Sequence, residues 1–512
     1  MLDLGRSFLQ AVERAPHLIG LASETAEYSY EQWALEIGAV QQYLKDKGLR
    51  RGDRVLTVLQ NRAESATLHW ACQASGITIV PVNWRSKADE INFFIDNAEP
   101  ALGVIEPISW ESWKTCQRAR RLPALFCGPA PSDGEADSYD SIQGQSAMPK
   151  AEGSSDDWSV MLYTSGTTGR PKGVPRRQHA ERAAAIAHIA QNQYRVYETT
   201  IGVMPLYHTM GVRTLLAMGI TNGTYVAFPR WNPEAFITAI HTYQATHLYL
   251  VPTLYHDMLN ASGFRPEEVA SVRKLGFAGA PMHDALLMRL QESFSPDLFV
   301  NHYGSSEIYT YAINQEAVKK PGSAGRQGLN ARLRVVEFDS AEGAVGPEQV
   351  CVPRQEGQII CDMQSDEAFE GYWKRPEVDA RSIRDGWFFT GDTGYFDEDG
   401  YLFVTGRVDD MIISGGENIS PVEIESVLSL HERIDEVAVV GLKDERLGQK
   451  VVAFIKPVKN RIPAEELDAH CRDSDLMNFK RPREYVFVKS IPKSPVGKIL
   501  RRLLVAGDFE PF

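Results

Sequence analysis

The segment Tyr163-Thr-Ser-Gly-Thr-Thr-Gly-Arg-Pro-Lys-Gly173 carries the densest chemistry in the chain. It follows an apolar run, WSVML, and precedes a helix-forming run, RRQHAERAAAIAHIAQ. Gly166 and Gly169 permit a tight loop whose backbone N–H groups converge on anionic oxygens. The hydroxyls of Thr164, Ser165, Thr167 and Thr168 add donors, and Lys172 adds a positive charge. Such a cradle suits phosphate. Lys172 is followed by Gly and the GxxxxGK[ST] spacing is absent, so the segment is not a Walker-type P-loop.

Other groups with chemical capacity lie downstream. Asn301-His302-Tyr303-Gly304-Ser305-Ser306-Glu307 places an aromatic, two hydroxyls and an acid just after an apolar run. Thr390-Gly-Asp392 precedes Gly406-Arg407 by a spacing that sets Asp392 fifteen residues before Arg407. An ionised Asp is acceptor-only and suits a diol. Gly279-Ala280-Pro281 is a small-residue turn, Asp409 sits in GRVDD, and Lys498 stands in Ser494-Pro-Val-Gly-Lys498-Ile. Taken singly, each has a bland alternative: a turn, a solvated acid, one lysine among many.

The elements that must position these groups read as layered α/β structure. AVQQYLKDKGLRRGDRVLTVL gives helix, turn and strand, and GITIVPVN gives a buried strand. THLYLVPTLY, VRKLGFAGAPM and DLFVNHYGSSE each run from an apolar strand into a loop of small and polar residues, where ligands of open α/β sheets bind. Between 128 and 157 the composition shifts to Pro, Ser, Gly and acids, as in a surface excursion. Asp-Gly pairs in 385–409 predict turns and a hairpin. After Asp409, Ser420, Pro421 and Glu423 predict a capping box at the start of a helix. Strands EVAVVGL, KVVAFIKP and EYVFVK, a helix near 463–472 and a final helix from Gly497 complete a compact α+β unit. The expected fold is therefore α/β: a large layered N-terminal domain, 1–408, and a small mobile α+β C-terminal domain, 409–512.

Composition narrows the class. The chain has 512 residues, 43 % hydrophobic and 24 % charged, which is ordinary for a folded protein of several domains. A net charge of −13 argues against a nucleic-acid-coating surface. From Lys480 onward, however, eight Lys or Arg face three acids, which points to a small polyanionic ligand. The six cysteines form no CxxC pair and support neither a disulfide framework nor a zinc site. The N-terminus, MLDLGRSFLQAVERAP, reads as an amphipathic helix rather than a signal peptide, and no apolar run reaches membrane-spanning length. The terminal DFEPF is not a peroxisomal address. The expectation is a cytoplasmic enzyme with no integral membrane association.

Taken together, the motifs from Trp158 to Lys498 resemble the acyl-adenylate-forming superfamily: acyl-CoA synthetases, adenylation domains of peptide synthetases and beetle luciferases. The resemblance implies ATP, Mg²⁺ and coenzyme A as partners. It makes the 163–173 segment the phosphate loop, with Gly279, Ala280, Pro281, Asn301, His302, Tyr303, Gly304 and Ser306 around the nucleotide. Ser306 stands where Thr is commoner, and the hydroxyl is kept. Glu307 would hold Mg²⁺, Asp392 and Arg407 the ribose, and Lys498 would be the adenylation lysine. Lys498, Lys172, His208 and Glu307 are thus the expected catalytic set. Asp409 would be the hinge about which the small domain turns between two half-reactions. Gly415 and Gly416 would leave room for a pantetheine arm, and Lys480, Arg481 and Arg483 would meet CoA phosphates, with Lys489 alongside them.

The same resemblance places Met204-Pro-Leu-Tyr-His208 beside the acyl site. His208, Thr209, Met210, Val251, Ala280, Gly304 and Tyr309 are the candidate lining. A wall so poor in polar groups favours an apolar or aromatic acid. The whole chain looks most like bacterial CoA ligases for benzoate and chlorobenzoate, with medium-chain or alicyclic acids as rivals. A stand-alone enzyme loading a carrier protein, a luciferase-like oxygenase and an inactive acyl-nucleotide sensor are the remaining alternatives. A homodimer is also admitted.

Overall fold

The computed structural model describes residues 2–128, 136–142, 147–164, 171–339, 343–415, 417–474, 476–493 and 499–512. Part of the expected excursion between 128 and 157 therefore lies outside the described residues. The N-terminal amphipathic pattern does form a helix, Leu4–Arg14, capped by the Asp3 carboxylate, which accepts from the Arg6 N–H at 2.7 Å. Its apolar face, Leu4, Phe8, Ala11 and Val12, is buried, and the Phe8 ring meets Trp33 edge-on with centroids 5.1 Å apart.

Two large sheets build the first four hundred residues. In the nine-stranded sheet, six neighbouring strands run parallel: Leu298–Tyr303, Lys274–Phe277, His247–Leu250, Thr199–Gly202, Thr224–Ala227 and Ile19–Ala22. In the seven-stranded sheet, Arg54–Val58, Thr78–Pro81, Leu102–Ile105 and Trp158–Thr164 are parallel, and Lys172–Arg177 closes one edge antiparallel. The apolar runs expected as strands before residue 330 are all found in these sheets. One core joins the sheets, drawing Leu21 and Tyr225 from the first, Val55 and Val160 from the second, and Leu215 and Leu216 from a helix between them. Burial on both faces explains why these strands read as continuous apolar runs rather than alternating ones.

A third sheet contains the predicted hairpin, Trp387–Phe396 against Leu402–Arg407. Its turn is held by the Asp397 carboxylate, which accepts from the N–H groups of Asp399 and Tyr401. Pairing from that turn sets Asp392 directly opposite Arg407.

Beyond residue 409, Ile434–Asp444 and Gly448–Pro457 pair antiparallel and Glu484–Phe487 joins parallel, with helices Pro421–Ser429, Ala464–Arg472 and Arg501–Ala506. Pro421 does open its helix, but the expected capping box is not formed. The Ser420 hydroxyl donates instead to the carbonyl of Thr405, and the Glu423 carboxylate accepts from Lys480 through both oxygens, at 2.9 and 2.6 Å. Tertiary partners outcompete the local cap. The buried apolar clusters described after residue 409 contain only residues from Ile412 onward, and those before it none beyond Val404. Polar contacts cross between the two sides: Ser420 to Thr405, and His256 to Asp435 at 3.7 Å.

Candidate active site

Antiparallel pairing sets Thr164 opposite Lys172 and Tyr163 opposite Gly173, so the two ends of the Gly- and Thr-rich loop are pinned side by side. Ser165, Gly166, Thr167, Thr168 and Gly169 lie outside the described residues. The Lys172 ammonium sits 4.8 Å from the ring centroid of Tyr372, within cation–π range. The Tyr372 hydroxyl in turn donates to Glu307 Oε1 at 2.6 Å. Burial and the neighbouring Glu307 carboxylate both push the Tyr372 hydroxyl up from its ordinary pKa, so it stays a donor. Lys172, Tyr372 and Glu307 thus form one row of alternating charge and ring.

Glu307 stands in the loop that leaves the Leu298–Tyr303 strand. Period-two alternation divides the strand's side chains between two faces. Asn301 donates through Nδ2 to the Ser323 carbonyl at 2.9 Å, and the Tyr303 hydroxyl donates to Asp392 at 2.6 Å. His302 points to the opposite face, where its Nε2 meets Asn192 Oδ1 at 3.0 Å, so only its backbone faces the same way as Tyr303. At Gly304 the chain turns so closely that a Cβ would lie 2.0 Å from the Tyr309 carbonyl oxygen. No other residue fits there. The loop then closes on itself: Ser305 Oγ and the Tyr311 hydroxyl are 2.7 Å apart, and Ser305 Oγ accepts from the Glu307 N–H at 3.2 Å. Ser306 is partly exposed at the tip.

Arg176 supports this loop from beneath. It is fully buried, its Nε donates to Glu181 at 2.5 Å, and its NH1 donates to the carbonyls of Glu307 and Glu367 at 2.9 and 2.7 Å. Tyr309 packs against the Arg176 guanidinium at 3.9 Å and is 2 % exposed, which places it in this support rather than on an open wall. Neither Arg176 nor Tyr372 was singled out in the sequence, because each acts through a partner more than a hundred or sixty residues away.

Asp392 collects two donors. Tyr303 approaches one oxygen at 2.6 Å and Arg407 NH1 the other at 2.8 Å. The carboxylate and the guanidinium are cross-strand neighbours, so the hairpin itself makes the pair. Gly279 and Val251 lie just beyond the carboxyl ends of neighbouring strands and meet Met210, in the first turn of a helix. A Cβ on Gly279 would lie 3.3 Å from Val251 Cγ1 and 3.9 Å from Met210 Sδ. Ala280 is partly exposed and Pro281 exposed beside them. His208 caps the helix Thr209–Thr221, accepting the Met210 N–H through Nδ1 at 3.3 Å. That bond keeps the imidazole proton on Nε2. Thr209 and Met210 are buried in the first turn.

The residues expected at CoA divide. Lys480 is paired with Glu423, and Arg481 with Asp468, so both charges are already met within the C-terminal unit. Arg483 is exposed, and Gly415 adopts a left-handed backbone with its N–H donating to the Leu447 carbonyl at 2.8 Å. Lys489 pairs with Glu510. Asp409 is exposed in the short turn Val408–Asp410. Gly416 and Lys498 lie outside the described residues. Among the described residues no cluster of three or more His, Cys, Asp or Glu forms a metal site. No helix of the described residues is long and apolar enough to cross a membrane.

Comparison with known proteins covers almost the whole chain. The family described as AMP-binding enzyme matches residues 8–373, and its C-terminal domain matches residues 423–498. A 4-chlorobenzoate–CoA ligase from Arthrobacter is 31 % identical over 510 residues, covering 96 % of this chain and 93 % of the relative. The long-chain-fatty-acid–CoA ligase FadD13 of Mycobacterium tuberculosis is 27 % identical and covers 98 % of each. Among solved structures, ATP-bound MatB from Rhodopseudomonas palustris superposes with a TM-score of 0.88 at 25 % identity, covering 99 % of both chains.

Proposed function

The chain belongs to the AMP-binding enzyme family and is an AMP-forming acid–thiol ligase that uses ATP, and from that premise we propose that it joins an aromatic, benzoate-like acid to coenzyme A. The observation that carries the site reading is the meeting at Asp392 of Tyr303 and Arg407, beside the row Lys172–Tyr372–Glu307. Strands from three sheets converge there on a patch that offers cations, hydroxyls and carboxylates together.

A carboxylate is a poor electrophile until one oxygen becomes a leaving group. In the first step a substrate carboxylate oxygen attacks the α-phosphorus of ATP, and the bond to the departing pyrophosphate breaks. Lys172, Lys498 and the N–H groups of the phosphate loop stabilise the negative charge that spreads in this step. Asp392 and Arg407 orient the ribose, and Tyr303 holds the Asp392 carboxylate in place. Glu307 fits a magnesium ion that arrives on phosphate: it is a single oriented carboxylate, and Mg²⁺ is commonly held by one or two carboxylates plus substrate oxygens. A bound Mg²⁺ would supply charge neutralisation at the phosphates. In the second step the CoA thiol, losing its proton, attacks the acyl carbonyl and AMP leaves. His208, with its proton on Nε2, borders the acyl carboxylate.

The domain reading belongs to the same proposal: 1–408 binds ATP and acid, and 409–512 turns about Asp409 between the steps. Aromatic acid is favoured by the apolar side chains of Val251 and Met210 beside Gly279, and by the 4-chlorobenzoate relative, which matches over nearly the full chain. The fatty-acid relative keeps linear acids as the comparison set. Cytoplasmic location and a homodimer complete the reading. The test is a carboxylic-acid panel followed by CoA-dependent AMP release. Aromatic acids should lead. Preference for hexanoate or longer chains would overturn the aromatic assignment, and turnover only with carrier proteins would replace CoA as acceptor.

A further inference from the structure

Beneath the acyl-site residues lies a buried polar cluster that the expected apolar wall does not contain. Tyr249 and Val251 share one face of their strand's path, as do His302 and Gly304. Between them Gly276 keeps the floor low, since a Cβ there would lie 3.0 Å from the Tyr249 ring and 3.5 Å from Asn192 Oδ1. The rings of His188, Tyr249 and His302 form a triangle with centroid separations of 4.8, 5.1 and 5.0 Å. Arg213, three residues beyond Met210 on the same helix, covers it.

The cluster is not internally satisfied. Arg213 is 2 % exposed and donates only to neutral oxygens: the Tyr309 carbonyl at 3.3 Å, Thr310 Oγ1 at 2.7 Å and the Tyr249 hydroxyl. Its Nε has no partner among the described residues. Asn192 fixes both imidazoles, because its Nδ2 donates to His188 Nδ1 at 2.9 Å and its Oδ1 accepts from His302 Nε2 at 3.0 Å. Burial, with Arg213 adding to it, holds both rings well below the usual histidine range, so each is neutral with one proton. His188 Nε2 is therefore a donor and His302 Nδ1 an acceptor, and neither has a partner among the described residues. Glu367 feels the Arg213 charge, and burial raises its own pKa. Buried donors without acceptors are costly, and a site that keeps them discriminates strongly for a ligand that supplies the missing oxygen.

We propose that Arg213, His188 and His302 read a second oxygen function on the acyl substrate, a hydroxyl or a carboxylate carried on the ring away from the reacting carboxyl group. The inference rests on the acid–CoA ligase reading above and narrows its substrate class. Two donors, Arg213 Nε–H and His188 Nε2–H, meet the oxygen's lone pairs. His302 Nδ1 accepts the proton of a hydroxyl, whereas a carboxylate is drawn chiefly by the Arg213 charge.

The experiment compares kcat/KM of the full chain on benzoate and 4-chlorobenzoate with that on 3- and 4-hydroxybenzoate and benzene-1,3- and 1,4-dicarboxylate. At least one oxygen-bearing acid should exceed benzoate by about tenfold or more. The hydroxy and dicarboxylate arms tell the two oxygen sources apart. Arg213→Met and, separately, His188→Phe should each cut that preference by about tenfold or more. The wild-type ranking needs no variant, so a misfolded variant leaves the test intact. Unsubstituted or chlorinated benzoate ranking first would overturn this inference alone. Loss of thermal stability in both variants without change in the ratio would make the cluster merely structural and overturn it as well. Absence of AMP formation with every acid would overturn the ligase reading itself.

Discussion

The Tyr303 hydroxyl donates to Asp392 across 2.6 Å, although the two residues are 89 positions apart and belong to different sheets. Burial first, and then the Asp392 charge, push the Tyr303 hydroxyl well above its ordinary pKa, so it remains a donor over the working pH range. The bond leaves the carboxylate oriented before any nucleotide arrives. Asp392→Ala should raise the KM for ATP by about 10–100-fold, the equivalent of about 1.5–3 kcal/mol for a hydrogen bond to a charged group. Tyr303→Phe, which leaves the Arg407 contact in place, should raise it less. Steady-state kinetics with ATP varied decide the point, and an Asp392→Ala enzyme with unaltered KM would remove Asp392 from the ribose site.

Lys498→Ala should lower adenylate formation by about 10²-fold or more, through loss of a preorganised charge in the transition state. Pyrophosphate release measures that step. Synthetic acyl-adenylate with CoA measures the other, which should be far less affected. Equal losses would show that the lysine serves both steps or neither.

Asp409→Pro places a fixed φ at the turn Val408–Asp410, where a rotating unit must change its torsions. Thioester formation should fall much further than adenylation. The two half-reactions, assayed separately on one preparation, give the comparison. Parallel losses would move the hinge elsewhere.

Ala280→Leu adds bulk on the partly exposed residue next to Gly279 and should raise the KM for aryl acids, with a smaller effect on kcat. In the wild type, benzoate-like acids should exceed acetate by about 100-fold in specificity, which corresponds to several kcal/mol of added apolar burial. Kinetics on benzoate, cyclohexanecarboxylate, hexanoate and acetate with both proteins test this.

Arg501→Met should destabilise the C-terminal unit selectively. Arg501 NH2 donates to both oxygens of the buried Glu425 at 2.7 Å, and NH1 lies 3.6 Å from Asp410. Removing one member of a buried pair strands the other, at about 3–5 kcal/mol. Thermal unfolding should show an earlier transition for this unit while ATP binding by the remainder persists. A single unshifted transition would contradict it.

Legibility in the sequence followed the range of the interactions concerned. The strands before Asn301 and Thr164 and the 387–407 hairpin were readable because apolar runs and Asp-Gly turns are local signals. Regular pairing from that turn would set Asp392 opposite Gly406, and a bulge between Thr393 and Gly394 in the register brings it opposite Arg407 instead, which no local signal announces. The Ser420–Glu423 capping box was misread for the opposite reason: Thr405 and Lys480, both distant in sequence, claim the two side chains. Lys480 and Arg481 looked available to phosphates until folding set Glu423 and Asp468 beside them. The Arg213 cluster was missed because His188, Tyr249 and His302 come from three elements. Its one visible trace is a lone charge inside the apolar helix TMGVRTLLAMGIT.

The separation of apolar clusters on either side of residue 409 has a calorimetric consequence. Heat capacity rises when apolar surface enters water and falls, by roughly half as much per unit area, when polar surface does. The turn about Asp409 proposed above would give up contacts such as Ser420 to Thr405 and His256 to Asp435, and water can replace each of them. With the apolar clusters on each side left intact, the proposed turn would change heat capacity far less than unfolding does. Its rate should follow a nearly straight Eyring line across temperatures at which the folding rate curves, and curvature as strong as that of folding would count against the turn.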